Sequence, residues 1–312
     1  MQAVDLPIEA AFYPLGYPLR IATNSSKILR AAEESWSRYA KQFSGPELHL
    51  RIAVTQDDAA PELKEPTCRA QGHVLINVAD RYNFAICDLA QGFGFCSLTS
   101  LAAEDTGYTR YHFIEAMVYS MLAHLCVTPL HAGCVARDGR GVLLFGPSGA
   151  GKSCLTFACA KRGWTYISDD GTSLVRGLSD LTVLGKPYKI RFRESAADLF
   201  PELEGLRGSL SGYGKPSIEV DTTEMPDIAT ATTCRVERLV FLNRTKSGPA
   251  RFIPLSKQDA LYSLESELPM FEQRVHEDHK ASLRALLELP VVTLRYGDLN
   301  SAIDQLEALL QK

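Results

Sequence analysis

The chain has 312 residues, 46% hydrophobic and 22% charged, which is the profile of a globular protein long enough for two ordinary domains. Its net charge of −4, from 33 basic and 37 acidic residues, gives no reason to expect a nucleic acid or an anionic membrane as partner. Eight cysteines form no C-x-x-C pair and have no histidine at zinc-ligand spacing, so they read as reduced residues of a cytoplasmic protein.

No basic segment followed by an apolar run opens the chain, so no secretory signal is expected. Residues 18–55 read as strand, helix, strand. "PLRIAT" is strand-like, "SSKILRAAEESWSRYAKQF" has helical periodicity with Ser25 and Ser26 as caps, and "LHLRIAV" alternates. A polar loop over 56–66 leads to "HVLINVA", "FAICDLA" and "GFGFCSLTS", which suggest a small sheet. A helix is predicted over 109–127, with Phe113, Met117, Met121, Leu122 and Leu125 on one face. The apolar run "IEAMVYSMLAHLCVTPL" is interrupted by Glu115, His124 and Pro129, which argues against a membrane span. A domain boundary is placed near residue 128, separating an N-terminal α/β domain (1–128) from a second domain (129–312).

The second domain begins with a strand, "GVLLF", then Gly146-Pro147-Ser148-Gly149-Ala150-Gly151-Lys152-Ser153, then a helix, "SCLTFACAKRG", ending at Gly163. The eight residues match G-x-x-x-x-G-K-[ST] in full. In this pattern glycines let backbone N–H groups turn toward phosphate oxygens. Lys152 reaches the β and γ phosphates, and the Ser153 hydroxyl can ligate Mg²⁺. The start of the helix adds its positive end.

The helix carries the chain away over roughly 16 Å. The strand "WTYIS" brings it back over roughly 16 Å. Asp169 and Asp170 should therefore lie level with the phosphate loop, at the carboxyl edge where open α/β sheets bind ligands. One carboxylate can help hold Mg²⁺; the other can take a proton from an attacking hydroxyl. A plain turn with Gly171 is the structural alternative. Upstream, Asp138-Gly139 is a strong hairpin signal. A hairpin there pairs Arg137 with Arg140 and Ala136 with Gly141. Continuing the register puts His131 opposite Gly146, where it could contact a phosphate or orient an Asp. An antiparallel strand beside the phosphate-loop strand implies a mixed sheet. Farther on, the Gly- and Ser-rich stretch 205–218 reads as a mobile loop and "RLVFLNR" as a buried strand. Residues 256–288 read as mostly helical, "PVVTLRYG" as a strand and "LNSAIDQLEALLQK" as a closing helix. Alternating strands and helices favour an α/β class.

The run from His131 to Asp170 ("LHAGCV", the turn, "GPSGAGKS", "AKRGW", "YISDD") resembles the HPr serine kinase/phosphorylase family. That family's fold is shared with phosphoenolpyruvate carboxykinase. The resemblance covers about 40 residues firmly and extends loosely to "KPYKIRF" and "LVFLNR". It implies an ATP- and Mg²⁺-dependent kinase core, with Asp170 as base for a substrate serine and Asp169 assisting on the metal side. A downstream loop, here 208–216 with Lys215, would close over the site, and Arg191 is a further candidate for facing phosphate. Cys154 stands where the family carries an acidic residue, at the phosphate-binding turn. The family's later glycine- and isoleucine-rich signature is absent, so the resemblance does not extend to phosphorylase activity, hexamers or HPr as substrate. The chain is more similar to the divergent HPr-kinase-like group that includes kinases of lasso-peptide precursors. The expected acceptor is a Ser hydroxyl of a peptide or protein, with residues 1–128 as its recognition domain and homo-oligomerisation left open. A nucleotide-dependent regulatory module and a small-molecule hydroxyl kinase are the alternatives.

Overall fold

The computed structural model describes residues 4–56, 62–206, 209–210, 216–269 and 271–311. Its chain divides into two compact units, Met1–Val127 with Met270–Val275, and Thr128–Pro269 with His276–Lys312.

In the first unit the strands are β1 (Ile8–Phe12), β2 (Leu19–Thr23), β3 (Leu48–Thr55), β4 (Thr67–Gln71), β5 (Val74–Val78), β6 (Phe84–Asp88) and β7 (Phe93–Thr99). They form one mixed sheet in the order β1-β2-β3-β7-β6-β5-β4. The β2-β3 and β3-β7 contacts are parallel; the others are antiparallel. Helix α1 (Ser26–Trp36) buries Ile28, Ala31, Ala32 and Trp36. It stops earlier than its periodicity suggests: the Tyr39 amide donates to the Trp36 carbonyl, and the Gln42 and Phe43 amides donate to the Gly16 carbonyl. The long helix expected over 109–127 is a composite. Helices α2 (Ser100–Glu104) and α3 (Thr106–Thr109) precede a π-helical turn (Arg110–Glu115), which runs into α4 (Ala116–Leu125). Phe113, Met117, Met121 and Leu122 are buried as the pattern requires, and Leu125 is only partly so.

The second unit is built on a mixed sheet of β8 (Val127–Arg137), β9 (Arg140–Phe145), β10 (Thr165–Ser168), β11 (Gly171–Val175), β12 (Thr182–Leu184), β16 (Thr233–Arg244), β17 (Arg251–Pro254) and β18 (Val291–Tyr296). β9 lies between β8, antiparallel, and β16, parallel. β18 runs parallel to β16, and β17 closes that edge antiparallel. The β8-β9 hairpin turns through Asp138 (φ 52°) and Gly139 (φ 77°), both left-handed as a two-residue turn demands. Its register runs from Arg137↔Arg140 to Ala132↔Phe145, one step short of His131 and Gly146.

Strand alternation divides the core between the two faces. On one, Val142, Leu144, Leu242 and Tyr296 pack with α5 (Lys152–Lys161) and α8 (Leu299–Leu310). On the other, Leu143, Phe145 and Leu239 pack with α6 (Lys257–Ser266) and α7 (Gln273–Leu286). The expected helical stretch 256–288 is thus two helices, separated around Pro269. A smaller sheet joins β13 (Lys189–Phe192), β14 (Ser209–Leu210) and β15 (Pro216–Asp221). This corrects the reading of 205–218 as loop throughout. "PSIEVD" alternates and buries Ile218 and Val220, which draws it into antiparallel pairing with β13. Lys215 lies outside the described residues. Among the described residues no helix is long and apolar enough to cross a membrane.

Candidate phosphate-transfer site

All the residues of the site belong to the second unit. β9 delivers the chain to the glycine-rich loop and α5 carries it away, so the loop is strung between a buried strand and a helix N-terminus. Gly149 (φ 90°) and Gly151 (φ 96°) are left-handed. At Gly151 a Cβ would also stand 2.3 Å from the Tyr296 hydroxyl, so only glycine fits. That hydroxyl, buried on β18, donates to the Ala150 carbonyl at 2.9 Å and braces the loop from beneath. Tyr296→Phe leaves this carbonyl without its donor and should cost about 1–3 kcal/mol, read as a fall in the melting temperature. An unchanged melting temperature would remove the bracing role.

Lys152 is the first residue of α5 and its side chain is only 5% exposed. Its ammonium donates to the Gly146 carbonyl at 2.7 Å, lies 3.1 Å from Asp170 Oδ1 and 3.1 Å from His131 Nε2. His131 Nε2 is in turn 3.0 Å from Asp170 Oδ1. The three groups therefore close a triangle at the mouth of the loop. The Asp pair fills the two-residue turn between β10 and β11, both of which neighbour β8, the strand that carries His131. Gly133 makes this approach possible. A Cβ there would stand 2.7 Å from Thr156 Cγ2 and 2.9 Å from the Asp169 carbonyl oxygen. Gly133→Ala forces backbone or α5 to shift and should destabilise by about 1–3 kcal/mol. A chemical-denaturation midpoint equal to wild type would show that the packing yields freely.

The two carboxylates have different environments. Asp169 is pushed up to about 6, first by burial and then by the charge of Asp170; the Arg191 amide, donating to Asp169 Oδ2 at 2.9 Å, opposes this in part. Burial acts to raise Asp170 too. The hydrogen bond from His131 and the charges of Lys152 and His131 together outweigh it, and Asp170 is held below the usual carboxylate range. The same hydrogen bond raises His131, against its partial burial. Two adjacent carboxyls pushed in opposite directions is the pattern expected of groups with different tasks.

Of the other residues singled out from sequence, Pro147, Ser148 and Gly149 form the exposed crest of the loop and Ala150 its buried base. Ser153 and Cys154 lie partly buried on the first turn of α5. Burial raises the Cys154 thiol, with Arg244 acting against it. Arg191 reaches the site through its backbone, while its guanidinium donates to Glu219 Oε2 at 3.0 Å across the β13-β15 pair.

Two participants were not read from sequence. Arg193 follows β13 and donates to the Ser148 hydroxyl at 2.7 Å. Glu267 follows α6, and its Oε2 is 3.2 Å from His131 Nδ1, on the far side of the ring from Asp170. Arg193 sits two residues beyond Arg191, and the extended reading of "KPYKIRF" could have placed both on one face. Glu267 is 136 positions from its partner, and no local signal connects them.

No family model matches the chain, and no curated protein matches it. Among solved structures it is similar to the HPr(Ser) kinase/phosphatase from Coxiella burnetii, with 17% identity and a TM-score of 0.31, over 59% of this chain and 93% of that chain.

Proposed function

We propose that the protein is an ATP- and Mg²⁺-dependent kinase of the HPr-serine-kinase kind, transferring the γ-phosphate to a hydroxyl, most naturally a Ser of a peptide or protein. The observation that carries this reading is the Lys152–Asp170–His131 triangle at the mouth of a complete G-x-x-x-x-G-K-S loop. A loop that only held nucleotide has less need of a proton-accepting carboxylate beside the lysine that would reach the terminal phosphates.

The residues suit the groups they would hold. Left-handed glycines, the α5 N-terminus and the Lys152 ammonium make a cradle for a phosphate chain. Ser153 and Asp169 present hard oxygen donors, the kind Mg²⁺ takes alongside phosphate oxygens. The bound metal would neutralise charge on the transferring phosphoryl group. On nucleotide binding Lys152 turns to the β and γ phosphates. Its hold on Asp170 then loosens, and this carboxylate becomes a better proton acceptor. The acceptor oxygen forms its bond to the γ phosphorus as the bond to the β–γ bridging oxygen breaks. The hydroxyl proton passes to Asp170, and ADP leaves. His131 keeps the Asp170 carboxylate aimed throughout.

The test is transfer of label from γ-labelled ATP in the presence of Mg²⁺ to peptides encoded beside the gene or present in a cell extract. Label on a Ser-containing acceptor supports the kinase. Tight ATP binding with no labelled acceptor in any fraction would favour a nucleotide-switched regulatory module.

A further inference from the structure

Beside the triangle, on the opposite side of His131 from Asp170, the second unit has a pocket of about 180 Å³. Much of its lining is apolar. Phe145 at the end of β9 stacks on Phe241 of β16 with ring centroids 5.0 Å apart, and Leu130 and Leu264 flank them. The polar residues of the lining are His131, Ser263 and Glu267, with Gly146 of the loop beside them.

We propose that this pocket receives an apolar side chain of the acceptor peptide, from a residue flanking the hydroxyl that is phosphorylated; the assignment of the neighbouring hydroxyl rests on the kinase reading above. Three features select this occupant. Position comes first. The motif directs Lys152 to the β and γ phosphates. The Lys152 ammonium touches His131, and His131 lines the pocket. The pocket is therefore on the γ side of the loop, where the acceptor must approach. The nucleoside lies toward the other end.

Size is the second feature. Small-molecule and cofactor sites occupy roughly 300–1,000 Å³, so this one suits a single side chain rather than a base with its ribose. Chemistry is the third. An acidic occupant would meet the Glu267 carboxylate. A basic one would place its charge among phenylalanine and leucine side chains, where desolvation opposes it. A leucine-, isoleucine-, methionine- or phenylalanine-sized group meets neither penalty.

The test uses the full chain and fluorescent seven-residue peptides with Ser or Ala at the centre and one flanking position fixed at a time. Binding is read by fluorescence anisotropy, and label transfer from γ-labelled ATP is read on the Ser series. The expected result is a preference of about tenfold or more for Leu, Ile, Met or Phe over Asp and Lys at one position near the centre. Ser263 is exposed on α6, so Ser263→Trp should fold and plug the opening. It should abolish that preference while leaving the other positions as they were. Ser263→Met, a smaller plug, should weaken it. Absence of any apolar preference near the centre, or a preference that survives Ser263→Trp in a protein with wild-type melting temperature, overturns the pocket assignment. Apolar selection that the plug abolishes, with no phosphate transferred to any peptide, keeps the pocket and removes the kinase reading. Transfer without selection does the reverse.

Discussion

Asp170→Asn should lower phosphoryl transfer about 10²–10⁴-fold, the range ascribed to a positioned general base. It should do so without weakening nucleotide binding. The amide keeps the shape of the carboxyl, and its oxygen can still accept from His131 Nε2. It cannot take the acceptor proton. Removing a negative charge beside the phosphate site gives no reason for weaker ATP affinity and some reason for a gain. The measurement is single-turnover transfer at saturating ATP, with nucleotide affinity determined separately by calorimetry. A transfer rate within threefold of wild type would remove Asp170 as the base. A parallel loss of ATP affinity would instead mean that Asp170 acts by holding Lys152 in place.

Lys152→Met is the second large effect. The ammonium spans three neighbours, the Gly146 carbonyl, Asp170 and His131, from a side chain that is almost wholly buried. Methionine fills similar space and makes none of these bonds. On the kinase reading both ground-state and transition-state contacts to the phosphates are lost, so affinity should fall at least about tenfold and the transfer rate a further 10²–10³-fold, as for a deleted charge-stabilising donor. The rate is compared at nucleotide concentrations that saturate each protein. Unchanged affinity would recast Lys152 as a clamp on Gly146. The loss should exceed that of Asp170→Asn in binding and not necessarily in turnover, which separates the cradle from the base.

Much of the site's scaffold was legible because its signals are local. Asp138-Gly139 needs only its own backbone preferences to turn, and the strand register follows by counting, as far as Ala132 and Phe145. The return of the chain to Asp169 and Asp170 was a matter of matched lengths of helix and strand. The Asp170 carboxylate does lie 3.1 Å from the Lys152 ammonium. Readings failed where a neighbour distant in sequence intervened. Helix α1 ends at Trp36, and the Gln42 and Phe43 amides farther along bond to the Gly16 carbonyl rather than within a longer helix. The stretch after residue 205 becomes partly strand because β13 offers an edge and the core takes Ile218 and Val220. The pairing of the Arg191 guanidinium with Glu219, directly opposite in the sheet, likewise had no local signal.

The sequence by itself determined the glycine-rich loop, the helix behind it, the hairpin that returns His131, and the presence of two adjacent carboxylates. Each depends on glycine conformation or hydrophobic period within a few residues. Only the tertiary structure decided how those carboxylates differ. Asp169 is partly buried and accepts from the Arg191 amide, and Asp170 is held by Lys152 and His131. It also decided that Glu267 completes the far side of His131 and that a small apolar pocket opens there. Charge and solvation are set by whatever surrounds a group in space, and those surroundings come from strands and helices far apart along the chain.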